Sequence, residues 1–126
     1  MKQIAGTIML FDDNGEPNFL VTEKADRYHL LLTTQEAHKT PLASILGMLK
    51  WQLGVDVTML RLSELSNVII RGNDVSLFVF KWGTLTPQQL ADNIEKLRQA
   101  GYTFERPKKL RGLLAEIDMS GVPHFD

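Results

Sequence analysis

Two stretches of this sequence are apolar on both sides of an extended chain. In Gln3–Phe11 one parity carries Ile4, Gly6, Ile8 and Leu10, and the other carries Ala5, Thr7, Met9 and Phe11. In Val75–Trp82 one parity carries Val75, Leu77 and Val79, and the other Phe78, Phe80 and Trp82. Successive side chains of a strand point to opposite faces, so a strand apolar on both parities needs a covering layer on each side. A sheet with one wet face cannot supply that. The arrangement that can is α/β, with a central mixed β-sheet between helices in an α/β/α sandwich.

The rest of the chain provides those layers. Asp12-Asp13-Asn14-Gly15-Glu16-Pro17 reads as a turn, and Phe19–Glu23 as the strand returning from it. Tyr28–Thr34 reads as a third strand. Thr40-Pro41 opens a helix, with the hydroxyl as cap and proline in the first turn; it runs to Leu53, and Gly54 can end it. Leu42, Ile45, Leu46, Leu49 and Leu53 form its core stripe. Thr58–Ile70 reads as extended, and Arg71-Gly72-Asn73-Asp74 as a turn. Thr86-Pro87-Gln88-Gln89 is a capping box for a helix that ends at Ala100, before Gly101. Leu90, Ile94 and Leu97 are its inward side, and Asp92 and Lys96 form an i,i+4 pair on its wet side. A last helix is expected over Lys108–Ile117, with Leu110, Leu113, Leu114 and Ile117 inward.

Composition narrows the function classes. The 126 residues suit one domain spanning residues 1–126, and 44% hydrophobic with 23% charged residues is the balance of a globular chain. Zero cysteines exclude disulfides, thiol catalysis and Cys-type zinc sites. A net charge of −1 gives no electrostatic pull toward nucleic acid or a membrane. The apolar runs are strand-length, and the opening MKQIAGTIML lacks the long apolar region of a signal peptide, which points to a soluble, cytoplasmic protein.

A glycine-containing first strand, a hairpin strand, and a helix ended by Gly54-Val55 resemble the Nudix hydrolase domain, MutT-like in element order. "LTPQQL" after Phe80-Lys81-Trp82, and "RPKKLRGLL" near the end, are similar to the closing helices of such domains. The resemblance implies glutamates on the first helix that hold a divalent metal, which activates water and neutralises a diphosphate. With Gly54 and Val55 setting the register, Leu49 falls on the aliphatic position of that motif. The metal glutamates fall on Trp51 and Gln52, the Arg-Glu pair on Gly47 and Met48, the upstream glutamate on Lys39 and the leading glycine on Thr33. No Asp or Glu occurs from Ala37 to Val55, so no other register restores an acid. A hard cation such as Mg²⁺ needs oxygen ligands, usually carboxylates. The resemblance therefore implies a Nudix-fold domain without metal-dependent hydrolysis and without a cofactor. It would act as a nucleotide-like ligand-binding module or as a protein-interaction module. The alternative is a divergent hydrolase of nucleoside diphosphate-linked compounds, using Mg²⁺ and distant acids such as Glu64, Glu95 or Glu105. Its relatives also suggest a homodimer.

The helix face opposite the core stripe carries Ser44, Gly47, Met48 and Trp51. Three arrangements satisfy an apolar face there. Met48 and Trp51 fill a former cleft, the face binds another subunit or partner, or Trp51 stacks on a flat ligand. Lys39 beside the helix start is either a phosphate clamp or a solvated loop lysine. The candidate ligand-binding residues are thus Lys39, Met48, Trp51 and Gln52. Arg106, Lys108, Lys109 and Arg111 form a basic cluster, read as an anion contact or as solvated surface. His29, His38 and His124 lack ligand spacing, so no metal site is expected. Ser44, Ser63, Ser66, Ser76 and Ser120 lack a nucleophile context, and no catalytic residue is assigned.

Overall fold

A computed structural model describes residues 2–118; Ser120 and His124 lie outside the described residues. The chain runs β1 (Gln3–Phe11), β2 (Pro17–Lys24), β3 (Arg27–His29), β4 (Leu31–Thr34), α1 (Pro41–Gly47), a wide π turn (Met48–Gln52) and a 3₁₀ turn (Val57–Met59). It continues through β5 (Leu60–Ile70), β6 (Asn73–Trp82), α2 (Pro87–Gln99), β7 (Tyr102–Glu105), a 3₁₀ turn (Pro107–Leu110), α3 (Arg111–Ala115) and β8 (Ile117–Asp118).

β1 is the axis of the sheet. It pairs in parallel with β6, from Gln3 opposite Val75 to Ile8 opposite Phe80. On its other side it pairs antiparallel with β4 through Gln3–Gly6 and with β2 through Met9–Phe11. β5 lies outside β6, β8 touches the end of β5, and β3 and β7 flank β2. The result is a mixed sheet, as the two doubly apolar strands require. On one face Ile4, Ile8, Phe78 and Phe80 pack with Ile45, Leu49 and Leu53 of the α1 segment and Leu97 of α2. On the other, Ala5, Val21, Val68 and Val75 pack with Leu110 and Leu113.

The capping box forms in full: the Gln89 N–H donates to Thr86 Oγ1 at 3.1 Å, and the Thr86 N–H to Gln89 Oε1 at 3.0 Å. Thr86→Ala leaves the donor at Gln89 open and is expected to cost about 1 kcal/mol, read as a lowered denaturant midpoint at unchanged slope.

Several elements differ from the sequence reading. Tyr28–Thr34 is two strands, because the chain passes at Leu30 from pairing with β2 to pairing with β1. The helix expected to reach Leu53 is α-helical only to Gly47, then widens so that each N–H reaches back five residues. Its closure is wide too: the Val55 N–H bonds the Leu49 carbonyl at 3.0 Å, with Gly54 at φ 72° between them. The turn after β5 needs only Arg71 and Gly72, both at positive φ, as a two-residue hairpin of type I′ demands. Strand β7 was not expected; its Tyr102 and Phe104 join the α1-side core, Phe104 lying 5.7 Å from Trp82 between ring centres. The last helix is shorter and starts as a 3₁₀ turn at Pro107, which leaves Leu114 exposed rather than inward. On α2, Asp92 accepts from Gln88 at 2.8 Å, and the ion pair is Glu95 with Arg98 instead of Asp92 with Lys96. Among the described residues no helix is long and apolar enough to cross a membrane.

Candidate functional site

The α1 segment sorts its outer face into a packed half and a wet half. Ser44 is buried; its Oγ accepts from the Glu36 N–H and donates to the Thr40 carbonyl, both at 3.1 Å, and so pins the preceding loop. Met48 packs half-buried against the core. Trp51, by contrast, is 77% exposed, with Lys50 Nζ 4.8 Å from its ring centre, and Gln52 beside it is exposed. Trp51 therefore does not fill a cleft, which overturns the first of the three arrangements for this residue. Lys39 lies before α1, where its Nζ meets Glu36 at 2.7 Å and its carbonyl accepts from Gln35. The wide turn thus carries Met48 packed inward and Trp51 and Gln52 exposed, while Lys39 pairs with Glu36 in the loop before α1. In the basic cluster, Arg106 sits 3.4 Å from Asp12 and Lys109 sits 3.5 Å from Glu105, so half of its charge is matched locally.

A cavity of about 230 Å³ opens on the opposite face of the sheet. Leu30, Leu32, Ile70 and Leu113 give it an apolar floor, and Gln3, His29, Arg71, Asn73 and Glu116 give it a polar rim. Glu116 accepts two bonds from the Arg71 guanidinium, at 3.2 and 3.3 Å, and lies 3.7 Å from Arg27. Two guanidiniums thus share one carboxylate, Arg71 at the rim and Arg27 beside it. Arg71 holds φ 51°, a left-handed conformation that costs a non-glycine residue roughly 1–2 kcal/mol.

No family model matches this sequence, and no curated protein matches it. Solved structures do. A Nudix hydrolase from M. smegmatis, RenU, superposes with a TM-score of 0.59 at 9% identity, over 95% of this chain and 77% of that one. The Ap4A hydrolase of C. elegans superposes with a TM-score of 0.52 at 14% identity, over 90% of this chain and 96% of that one. A binary complex of a C. elegans Ap4A hydrolase gives the same score at 13% identity and the same coverage. The chain has the Nudix fold.

The stretch from Ala37 to Val55, which holds α1 and the wide turn, contains no Asp or Glu, so this segment has no carboxylate to offer a divalent metal. Among the described residues no three His, Cys, Asp or Glu side chains come together at metal-holding distance. The distant acids are dispersed: Glu64 is exposed on β5, Glu95 is tied to Arg98 and Glu105 to Lys109.

The rim residues Gln3, Arg71, Asn73 and Glu116 escaped the sequence reading. They come from β1, the β5–β6 hairpin and the end of α3, and no spacing links them. The one local signal was Arg71-Gly72, where Asn-Gly is the usual pair. The hydrogen bonds from Arg71 hold the Glu116 carboxyl below its ordinary value of 4.5, against a smaller desolvation effect; Arg27 and His29 add to the lowering. A carboxyl lowered in the folded state contributes stability above its unfolded value, and that contribution is lost as pH falls through the folded value. Glu116→Gln is therefore expected to lower the melting temperature at pH 7, and the gap to the unmodified protein should close below pH 4.5.

Proposed function

We propose that this Nudix-fold domain binds a nucleotide-like ligand in the cavity beneath Arg71 and Glu116 and does not hydrolyse it with metal. The observation that carries this reading is the cavity itself: an apolar floor for a flat ring, with guanidinium charge at the rim for an anionic group. At about 230 Å³ it is smaller than the ~300–1,000 Å³ of drug-sized pockets. In this reading a base or a sugar lies on the apolar floor and its phosphate meets Arg71 at the mouth. The Ap4A hydrolases that share the fold support the nucleotide class. The acid-free α1 segment supports binding without hydrolysis.

Exposed Trp51 favours a second reading, in which the wide turn stacks on a ligand or docks a partner. Titration of a fluorescent adenosine diphosphate analogue, in EDTA, separates the two. Arg71→Ala should weaken binding by roughly 10–100-fold, the value of one charge-assisted contact, and Trp51→Ala should leave it unchanged. The reverse pattern would move the site to the wide turn. Binding that appears only with Mg²⁺ would favour the divergent hydrolase.

A further inference from the structure

We propose that Glu116 is an internal competitor for Arg71: its carboxylate stands where the ligand's anionic group binds, and the ligand enters by displacing it. The proposal rests on the cavity reading above and adds what controls entry to that cavity. Glu116 and Arg71 both line it, and each spends its charge on the other. Their bond is of the kind a guanidinium makes with a ligand oxyanion. Two donors of one fork, Nε and Nη2, meet the two carboxylate oxygens.

An anion entering the cavity therefore meets a fork already filled and a negative charge in the same wall. Sharing Arg71 with Glu116 would set two anions side by side, which is unfavourable at short range. Displacement avoids that, and the carboxylate has somewhere to go. Arg27, on β3 and outside the cavity lining, lies 3.7 Å from the same carboxylate. Glu116 released from Arg71 keeps a positive partner there.

The clasp opens at modest cost. Its bonds, 3.2 and 3.3 Å, are longer than the about 2.7–2.9 Å of a strong charge-assisted pair. The Arg71 side chain is half exposed, so solvent screens the attraction. Arg71 stands on a two-residue hairpin flanked by the β5–β6 ladder, whereas Glu116 lies in the turn after the five-residue α3. The carboxylate is thus the group that yields. Competition also selects the ligand. An anion alone replaces one oxyanion by another at Arg71 and gains little. A ligand whose ring also covers Leu30, Leu32 and Ile70 adds apolar burial to the exchange.

Titration of the full chain with a fluorescent adenosine diphosphate analogue, and with the matching adenosine analogue, tests this in EDTA. Glu116→Gln keeps the shape of the side chain and removes its charge. The diphosphate should then bind roughly 3–10-fold tighter, since the variant returns to Arg71 what a part-exposed ion pair holds. The adenosine, which has no group for Arg71, should bind as before. Circular dichroism checks the fold, and Glu116→Ala reads the same effect should the glutamine variant not fold. Glu116→Gln is thus expected to be less stable yet tighter in binding, a pairing that an ion pair serving the fold alone does not give. Diphosphate binding that needs Arg71 but is unchanged or weakened by Glu116→Gln would overturn the proposal and leave the cavity reading standing. A gain shared by the adenosine would overturn it too, since the variant would merely have widened the cavity. Binding indifferent to Arg71→Ala, or no binding, would overturn both.

Discussion

Phe80→Ala is expected to lower the unfolding free energy by about 3–5 kcal/mol, the usual cost of truncating a buried aromatic. Phe80 is 2% exposed on the central strand β6, where its parallel partner is Ile8 of β1 and its antiparallel partner is Leu62 of β5. Its ring lies parallel to that of Phe78, with centres 6.2 Å apart, beneath α1. Neighbours on both sides are strands held by ladders, so the space left by the ring cannot close by a shift of one side chain. A cost of that size is a large share of the ~5–15 kcal/mol by which a domain is stable. Denaturant titration reads it as a lower midpoint with an unchanged slope. A loss below 1 kcal/mol would mean that the core under α1 is loosely packed.

Gly6→Ala gives the second large effect, with a sign opposite to that of propensity alone. Gly6 is not among the glycines at positive φ, so its backbone accepts alanine, and a strand usually gains from losing a glycine. A Cβ there would lie 2.8 Å from Ile45 Cγ1 and 3.0 Å from Ile45 Cδ1. Ile45 is fully buried in the core beneath α1, so any shift it makes presses on packed neighbours. Overpacking of this kind costs about 1–3 kcal/mol. The contact also makes the two positions interdependent. Ile45→Ala alone leaves a cavity, but in its presence the added methyl finds room, so the double variant should be less destabilised than the sum of the singles. A coupling of at least 0.5 kcal/mol in a double-mutant cycle is expected. Strict additivity would contradict the close approach of α1 to β1.

The parts of the fold that could be read from sequence are those set by local periodicity and by caps. Both parities of Gln3–Phe11 and Val75–Trp82 are apolar, and both strands are central. Thr86 and Gln89 make the box their spacing implies. What escaped reading depends on distant partners. The break at Leu30 exists because β1 changes neighbours halfway along its length. The wide turn at Met48–Gln52 depends on how Val55 closes onto Leu49, which a count of residues does not reveal. Strand β7 has only four residues, too few for a period, although Tyr102 and Phe104 after Gly101 carry its alternation. The candidate site was legible in one half only. The acid-free segment from Ala37 to Val55 is plain in the sequence, but the exposure of Trp51 is not, because an apolar helix face reads equally as packed or as open. The cavity is assembled from short pieces around residues 3, 30, 71 and 115, which only the folded sheet brings together.

Binding of a nucleotide-like molecule without metal is read by thermal melts of the full chain against a panel of nucleotides and nucleotide sugars, each with Mg²⁺ and with EDTA. A ligand that favours the folded state raises the melting temperature by mass action. The expected result is a rise for at least one member of the panel, equal in Mg²⁺ and in EDTA and absent in Arg71→Ala. A rise that requires Mg²⁺, or none across the panel, would contradict it.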